Sequence, residues 1–74
     1  MNRKELKELT KLAQKIAEFE FIIQTNQDKD EIKNAQNEIM KASIKVNEIQ
    51  ESHENEDVYA IVDELTQEIL KKMI

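Results

Sequence analysis

The stretch from residue 32 to residue 49 constrains the fold more than any other part of the chain. Its apolar residues are separated by steps of 3, 4, 3, 4 and 3, the spacing of one seam along a supercoiled helix: Ile32, Ala35, Ile39, Ala42, Val46 and Ile49. Polar residues occupy most of the other positions. Because a single helix cannot bury such a stripe, it needs partner helices from the same chain or from a second copy. We expect Ile39 to be buried in this seam.

The composition favours helices throughout the chain. Its 74 residues include neither glycine nor proline, so the usual turn residues of β-rich folds and every glycine-dependent phosphate loop are absent. Glu, Lys, Gln, Ile and Leu, which favour helices or fill their apolar faces, are frequent. The chain also lacks cysteine, so no disulfide or thiolate metal site can stabilise it. A chain of this length makes one domain, which we place at residues 1–74.

Hydrophobic periodicity divides the chain into three amphipathic segments, at about residues 3–25, 29–51 and 56–73. The first two have similar length and a short link, which predicts an antiparallel helical hairpin. The third supplies a further broad apolar face. The predicted fold is therefore all-α, a three-helix bundle with coiled-coil-like packing.

Capping residues mark the ends of the first two helices. Asn2 is followed three residues later by Glu5, in capping-box register. Asn26 is the expected terminator of the first helix, because Asn tolerates the left-handed conformation that often ends helices. Asp28 is the expected N-cap of the second helix, with Glu31 in the box position.

The link between the second and third helices, residues 52–57, is polar and contains neither glycine nor proline. We expect it to be exposed, with Ser52 or Asn55 capping the third helix and Glu56 and Asp57 in its first turn. A helix that continues through this segment is an alternative, and it would expose more apolar surface.

Catalytic and metal-binding constellations are not indicated. The chain has one histidine, His53, which lies in an acidic segment without a nucleophile held next to it. Gln50 occupies the position three residues before it, where a helical Glu-x-x-His metal motif needs a carboxylate. A solvated run of charges is the simpler interpretation. We expect no catalytic, cofactor-binding or metal-binding residues, and therefore no enzyme.

The charge distribution also limits the classes of partner. The net charge is −5, and residues 26–57 hold nine acidic against four basic side chains. This excess disfavours nucleic-acid binding, although mimicry of DNA phosphates to inhibit a nucleic-acid enzyme is an alternative function. The first helix carries a basic ridge, for which a solvated face is the simpler interpretation: Lys4, Lys7, Lys11 and Lys15. We expect a cytoplasmic protein without a membrane segment, since the longest apolar run has five residues.

Some apolar residues are left over when three helices share one axis. Four of them, two on the second helix and two near the C-terminus, are the expected contacts with a second copy or with a partner protein: Met40, Ile44, Leu70 and Ile74. The predicted function is a protein-binding regulator, adaptor or inhibitor that forms a homodimer. The alternative is a structural or assembly protein whose helices form a larger oligomer.

Overall fold

The structure is a computed structural model that describes residues 1–73. These residues form three helices. They are α1 (Arg3–Thr25), α2 (Lys29–Ser52) and α3 (Val58–Met73). No strand occurs within these residues, and the helices pack against one another. The predicted all-α three-helix bundle is confirmed.

The first two helices begin at the predicted N-caps. The Asn2 side chain accepts a hydrogen bond from the Glu5 backbone amide at 2.9 Å, and the Glu5 carboxylate accepts one from the Asn2 amide at 3.4 Å. Asp28 caps α2 by accepting a hydrogen bond from the Asp30 amide at 2.9 Å. Glu31 does not complete a second capping box, because its carboxylate accepts a hydrogen bond from the Asn26 side chain instead.

The expectation of a left-handed Asn26 is wrong. Asn26 follows the last residue of α1 as predicted, but its φ of −93° and ψ of 144° are extended. Its side-chain oxygen accepts a hydrogen bond from the Asp28 amide at 2.8 Å, which closes a turn of the kind that asparagine makes with its own backbone. This side-chain turn reverses the chain without a residue of positive φ.

The link between α2 and α3 is a structured corner, so the continuous-helix alternative is wrong. The Asp57 side chain caps α3 by accepting a hydrogen bond from the Ala60 amide at 3.1 Å. The cap is therefore neither Ser52 nor Asn55, and α3 begins two residues later than predicted. Asp57 lies one residue before Val58, the first buried residue of α3, so its carboxylate reaches the free amides of the first turn.

Gln50 holds this corner together. Its amide nitrogen donates to the carbonyl oxygens of His53 at 3.1 Å and of Glu56 at 2.8 Å, and its oxygen accepts from the Val58 amide at 2.8 Å. One side chain thus bonds to three backbone groups of the link, and it is the partner of the Glu56 carbonyl and the Val58 amide, which neither helix pairs.

The helix α1 is the centre of the bundle. It packs along both α2 and α3, whereas α2 and α3 contact each other much less. The Met1 ammonium group lies 3.1 Å from the Glu56 carboxylate, and the ring of His53 contacts Glu5. These pairs bring the start of α1 to the corner between α2 and α3, so α2 runs antiparallel to α1 and α3 runs parallel to it.

The buried core lies toward this corner and draws on all three helices. It consists of Leu9, Leu12, Ala13, Ala42, Val46, Val58 and Val62. With 16 residues against 23 in α1, α3 is about 10 Å shorter than α1. The hairpin end that holds the α1–α2 link therefore extends past α3.

The α2 seam is buried through its small residues. Ala35, Ala42 and Val46 are buried, but Ile32, Ile39 and Ile49 are only partly buried, so the expectation of a buried Ile39 is wrong. On a helical wheel Ile39 lies about 40–60° from the two alanines. The small side chains of the alanines allow α1 to pack close to α2. Ile39 therefore lies at the edge of the α1–α2 contact.

Candidate protein-binding surfaces

The outer face of α2 exposes two large apolar side chains. Met40 and Ile44 are one helical turn apart, and they are 63% and 56% exposed. They lie opposite the buried seam, where no other helix of the described chain covers them. Both residues were predicted to be left over, and the structure places them together on one surface.

A third exposed apolar side chain, Tyr59 of α3, lies beside the same face. Its hydroxyl group donates a hydrogen bond to the Asn47 side chain of α2, and the residue is 49% exposed. Asn47 is one turn from Ile44, so the Tyr59 hydroxyl is bonded to α2 one turn beyond the Met40–Ile44 pair. The sequence pattern alone does not reveal this contact between α3 and α2.

The expectation that Leu70 is available at the surface is wrong. Leu70 is only 6% exposed and continues the buried line of α3, whose members are four residues apart: Val58, Val62, Thr66 and Leu70. The Thr66 hydroxyl donates to the Val62 carbonyl oxygen at 2.7 Å, so this polar residue can be buried without an unpaired group. A threonine does not stand out in an apolar pattern, so the pattern does not show that the buried line of α3 runs through Thr66 to Leu70. The fourth predicted contact, Ile74, lies outside the described residues.

The basic ridge of α1 lines an open groove of about 750 Å³. Lys45 of α2 joins the four predicted lysines there, and Leu12 contributes apolar surface. Glu8 and Glu18 also line the groove, so its five lysines outnumber two carboxylates. Among the described residues, the ion pairs of lysine are confined to Lys41 with Glu38, so the five groove lysines are unpaired. The ridge was visible in the sequence. The contribution of Lys45 could not be predicted without the antiparallel register of the hairpin, which places Lys45 beside the first half of α1.

The only histidine is engaged at the corner of the bundle and is not exposed as expected. His53 is half-buried, with Nδ1 3.0 Å from the Ile49 carbonyl oxygen and Nε2 against the Glu5 carboxylate. Glu56 is also half-buried, with its carboxylate against the Met1 ammonium group. Both ring nitrogens of His53 therefore face oxygen atoms of the chain, on Ile49 and Glu5.

Residues 1–73 contain neither a metal-binding cluster nor a membrane-spanning helix. No group of three or more His, Cys, Asp or Glu side chains is placed to hold a metal ion there. Nor does any helix in that range have the length and apolar character that crossing a bilayer requires.

No protein-family model matches the chain, and comparison with curated proteins and with solved structures found no match. The function is therefore inferred from the surfaces of this chain alone.

Proposed function

We propose that this protein is a cytoplasmic, non-catalytic protein-binding module, a regulator, adaptor or inhibitor, that forms a homodimer through the outer face of α2. The observation that carries the proposal is the exposure of Met40 and Ile44 side by side, next to the half-exposed ring of Tyr59. Contiguous apolar surface on an otherwise polar protein is typical of contact sites, and a symmetric pair is the commonest way to cover it.

The size of this patch sets the expected strength of the dimer. Two apolar side chains and one tyrosine ring per copy are fewer than the 20 to 30 residues on each side of a standard stable interface. We therefore expect a dimer that dissociates in the micromolar range, so that its population changes with the concentration of the protein.

Light scattering coupled to size exclusion across micromolar concentrations tests this proposal. The expected mass rises from near 8.7 kDa toward twice that value. The double variant Met40→Glu, Ile44→Glu should remain a folded monomer at every concentration. The matched control is Thr10→Glu, Gln14→Glu, which adds the same charge at two exposed α1 positions one turn apart and should still dimerise.

Three results would contradict the proposal in different ways. A mass of 8.7 kDa at all concentrations would exclude the homodimer. A mass that keeps growing past the dimer would instead support the alternative, a structural or assembly protein. Dimers that persist in the Met40→Glu, Ile44→Glu variant would place the interface on another face.

The lysine groove of α1 is a second candidate surface, for a different protein. Successive lysines of the ridge are three or four residues apart, about 4.5–6 Å along the helix axis, which is also the spacing of carboxylates at three- and four-residue intervals on a facing helix. The occupant that fits is an acidic helix of a partner protein. Nucleic acid fits less well, since the protein as a whole carries a charge of −5.

Fluorescence anisotropy with labelled probes tests this groove. A helical peptide with glutamates at three- and four-residue intervals should bind, and Lys7→Glu, Lys11→Glu should abolish that binding. Lys71→Glu, Lys72→Glu in the last turn of α3, outside the groove, is the matched control and should leave binding unchanged. Equal binding of a peptide with the same residues in scrambled order, or tighter binding of duplex DNA, would refute the acidic-helix occupant.

A further inference from the structure

The outer face of α2 carries a second seam, opposite the buried one. Six exposed residues follow one another in steps of 4, 3, 4, 3 and 4: Lys33, Asn37, Met40, Ile44, Asn47 and Glu51. This is the spacing that keeps a stripe facing a partner helix along its whole length. The apolar pair lies in the middle, the two asparagines flank it, and the opposite charges lie at the ends.

The order of these residues is self-complementary. Each pair lies at equal distances on either side of residue 42: Met40 with Ile44, Asn37 with Asn47, and Lys33 with Glu51. Ala42 itself is buried on the other side of the helix. Reading the stripe backwards therefore places an apolar residue opposite an apolar one, an amide opposite an amide, and a cation opposite an anion.

We propose that two copies of the chain pack α2 against α2 in antiparallel orientation, with the two-fold axis at the level of residue 42. Met40 then contacts Ile44 of the partner subunit, and Lys33 pairs with Glu51 of the partner subunit. Each contact occurs twice, because the interface is symmetric. This inference rests on the proposed function, since it specifies how the homodimer forms.

The charges at the ends of the stripe select the antiparallel orientation. A parallel pair would place lysine against lysine at one end and glutamate against glutamate at the other, and both contacts are repulsive. The antiparallel pair replaces these with two attractive contacts, about 27 Å apart along α2.

The polar residues also fix one register. If one helix moves by a heptad, Met40 faces Asn37 or Glu51 of the other copy, and the apolar pairing is lost. Burial of apolar groups against charged or amide groups is unfavourable, so the central register is preferred.

The neighbouring helix α3 supports the same face. The hydrogen bond between Tyr59 and Asn47 holds the tyrosine ring beside the stripe, where it widens the apolar surface that a second copy meets. Each subunit thus presents residues of two helices, which makes the surface broader than a single helical stripe.

A charge-exchange experiment tests the register. Lys33→Glu and Glu51→Lys, each alone, turn both attractive contacts into repulsive ones and should raise the dimer dissociation constant roughly tenfold. The double variant Lys33→Glu, Glu51→Lys exchanges the charges and should return the constant to within about threefold of the original. Glu68→Lys, Lys72→Glu and their double variant repeat the exchange at exposed α3 positions outside both the stripe and the lysine groove, and they should leave the dimer dissociation constant unchanged.

Disulfide cross-linking tests the orientation independently, because the chain has no cysteine of its own. An equimolar mixture of the variants Asn37→Cys and Asn47→Cys should form the mixed disulfide under mild oxidation. Either variant alone should not cross-link, since its two cysteines lie about 15 Å apart in the antiparallel dimer, beyond the reach of a disulfide. In a parallel dimer identical positions face each other, so each variant alone would cross-link and the mixed disulfide would not form.

The outcomes separate the two proposals. A wild-type protein that stays monomeric refutes the homodimer, and with it the register. A wild-type dimer that the single charge variants leave unchanged, or in which each cysteine variant cross-links with itself, refutes the antiparallel register and leaves the protein-binding function standing. Circular dichroism of each variant shows whether the helices are retained, so that loss of the fold is not mistaken for loss of the dimer.

Discussion

At the scale of single residues, burial differs from the apolar pattern where a small or polar side chain controls the approach of a neighbour. Leu9 is completely buried, whereas Ile39 stays at the rim of the α1–α2 contact. Thr66 is buried because its hydroxyl bonds to the preceding turn. Hydrophobicity alone would place Leu9 and Ile39 in the core and leave Thr66 exposed.

Truncation of the two apolar residues should show this difference. Leu9→Ala should lower the free energy of unfolding by about 2–5 kcal/mol, the usual range for emptying a core site. Ile39→Ala should cost about 1 kcal/mol, because a half-buried side chain loses only part of its transfer free energy. Urea unfolding followed by circular dichroism measures both. Equal losses would place Ile39 in the core after all.

Gln50 is the residue on which the α2–α3 corner depends. Gln50→Leu keeps a similar volume but leaves the Glu56 carbonyl and the Val58 amide without their partner, while the His53 carbonyl keeps its bond from the Glu56 amide. The free energy of unfolding should therefore fall by about 1–3 kcal/mol. Gln67→Leu, at an exposed position of α3, is the control and should change stability by less than about 0.5 kcal/mol. An unchanged urea midpoint for Gln50→Leu would mean that the corner is held by other contacts.

At the scale of helices, the bounds were predictable where capping residues border an amphipathic stretch. The starts of α1 and α2 follow from Asn2 and Asp28, because asparagine and aspartate satisfy free amides at helix N-termini. The start of α3 was placed two residues too early, because three polar residues of the link, Ser52, Asn55 and Asp57, are all acceptable caps. The choice among them depends on where α3 must begin to pack on α1.

Substitution of the candidate caps distinguishes them. Asp57→Ala should destabilise the protein by about 1 kcal/mol, the typical loss for an N-cap. Asn55→Ala should have an effect below about 0.5 kcal/mol, since no hydrogen bond of its side chain contributes to the start of α3. Thermal melting compares the two variants with the wild type. A larger loss of stability for Asn55→Ala than for Asp57→Ala would mean that Asn55, and not Asp57, is the N-cap of α3.

At the scale of the whole molecule, α2 carries apolar residues on two opposite faces, of which the bundle buries one. The other makes stability depend on association, because anything that binds only the folded state stabilises it by mass action. The melting temperature of the wild type should therefore rise by a few degrees as the protein concentration increases from below to above the dimer dissociation constant. The Met40→Glu, Ile44→Glu variant should melt at the same temperature throughout. A wild-type midpoint independent of concentration would argue against the dimer.

The sequence by itself determined the all-α class, the three helices, the hairpin and the exposure of Met40 and Ile44, because periodicity and capping are local properties that survive in any packing. Tertiary structure alone decided which side of α3 faces inward, and hence that Leu70 is buried. It also decided that Lys45 joins the basic ridge and that His53 meets Glu5. These outcomes depend on the rotation and register of one helix against another. Small differences in side-chain volume and hydrogen bonding, summed over the whole interface, set that geometry, and no single stretch of sequence contains it.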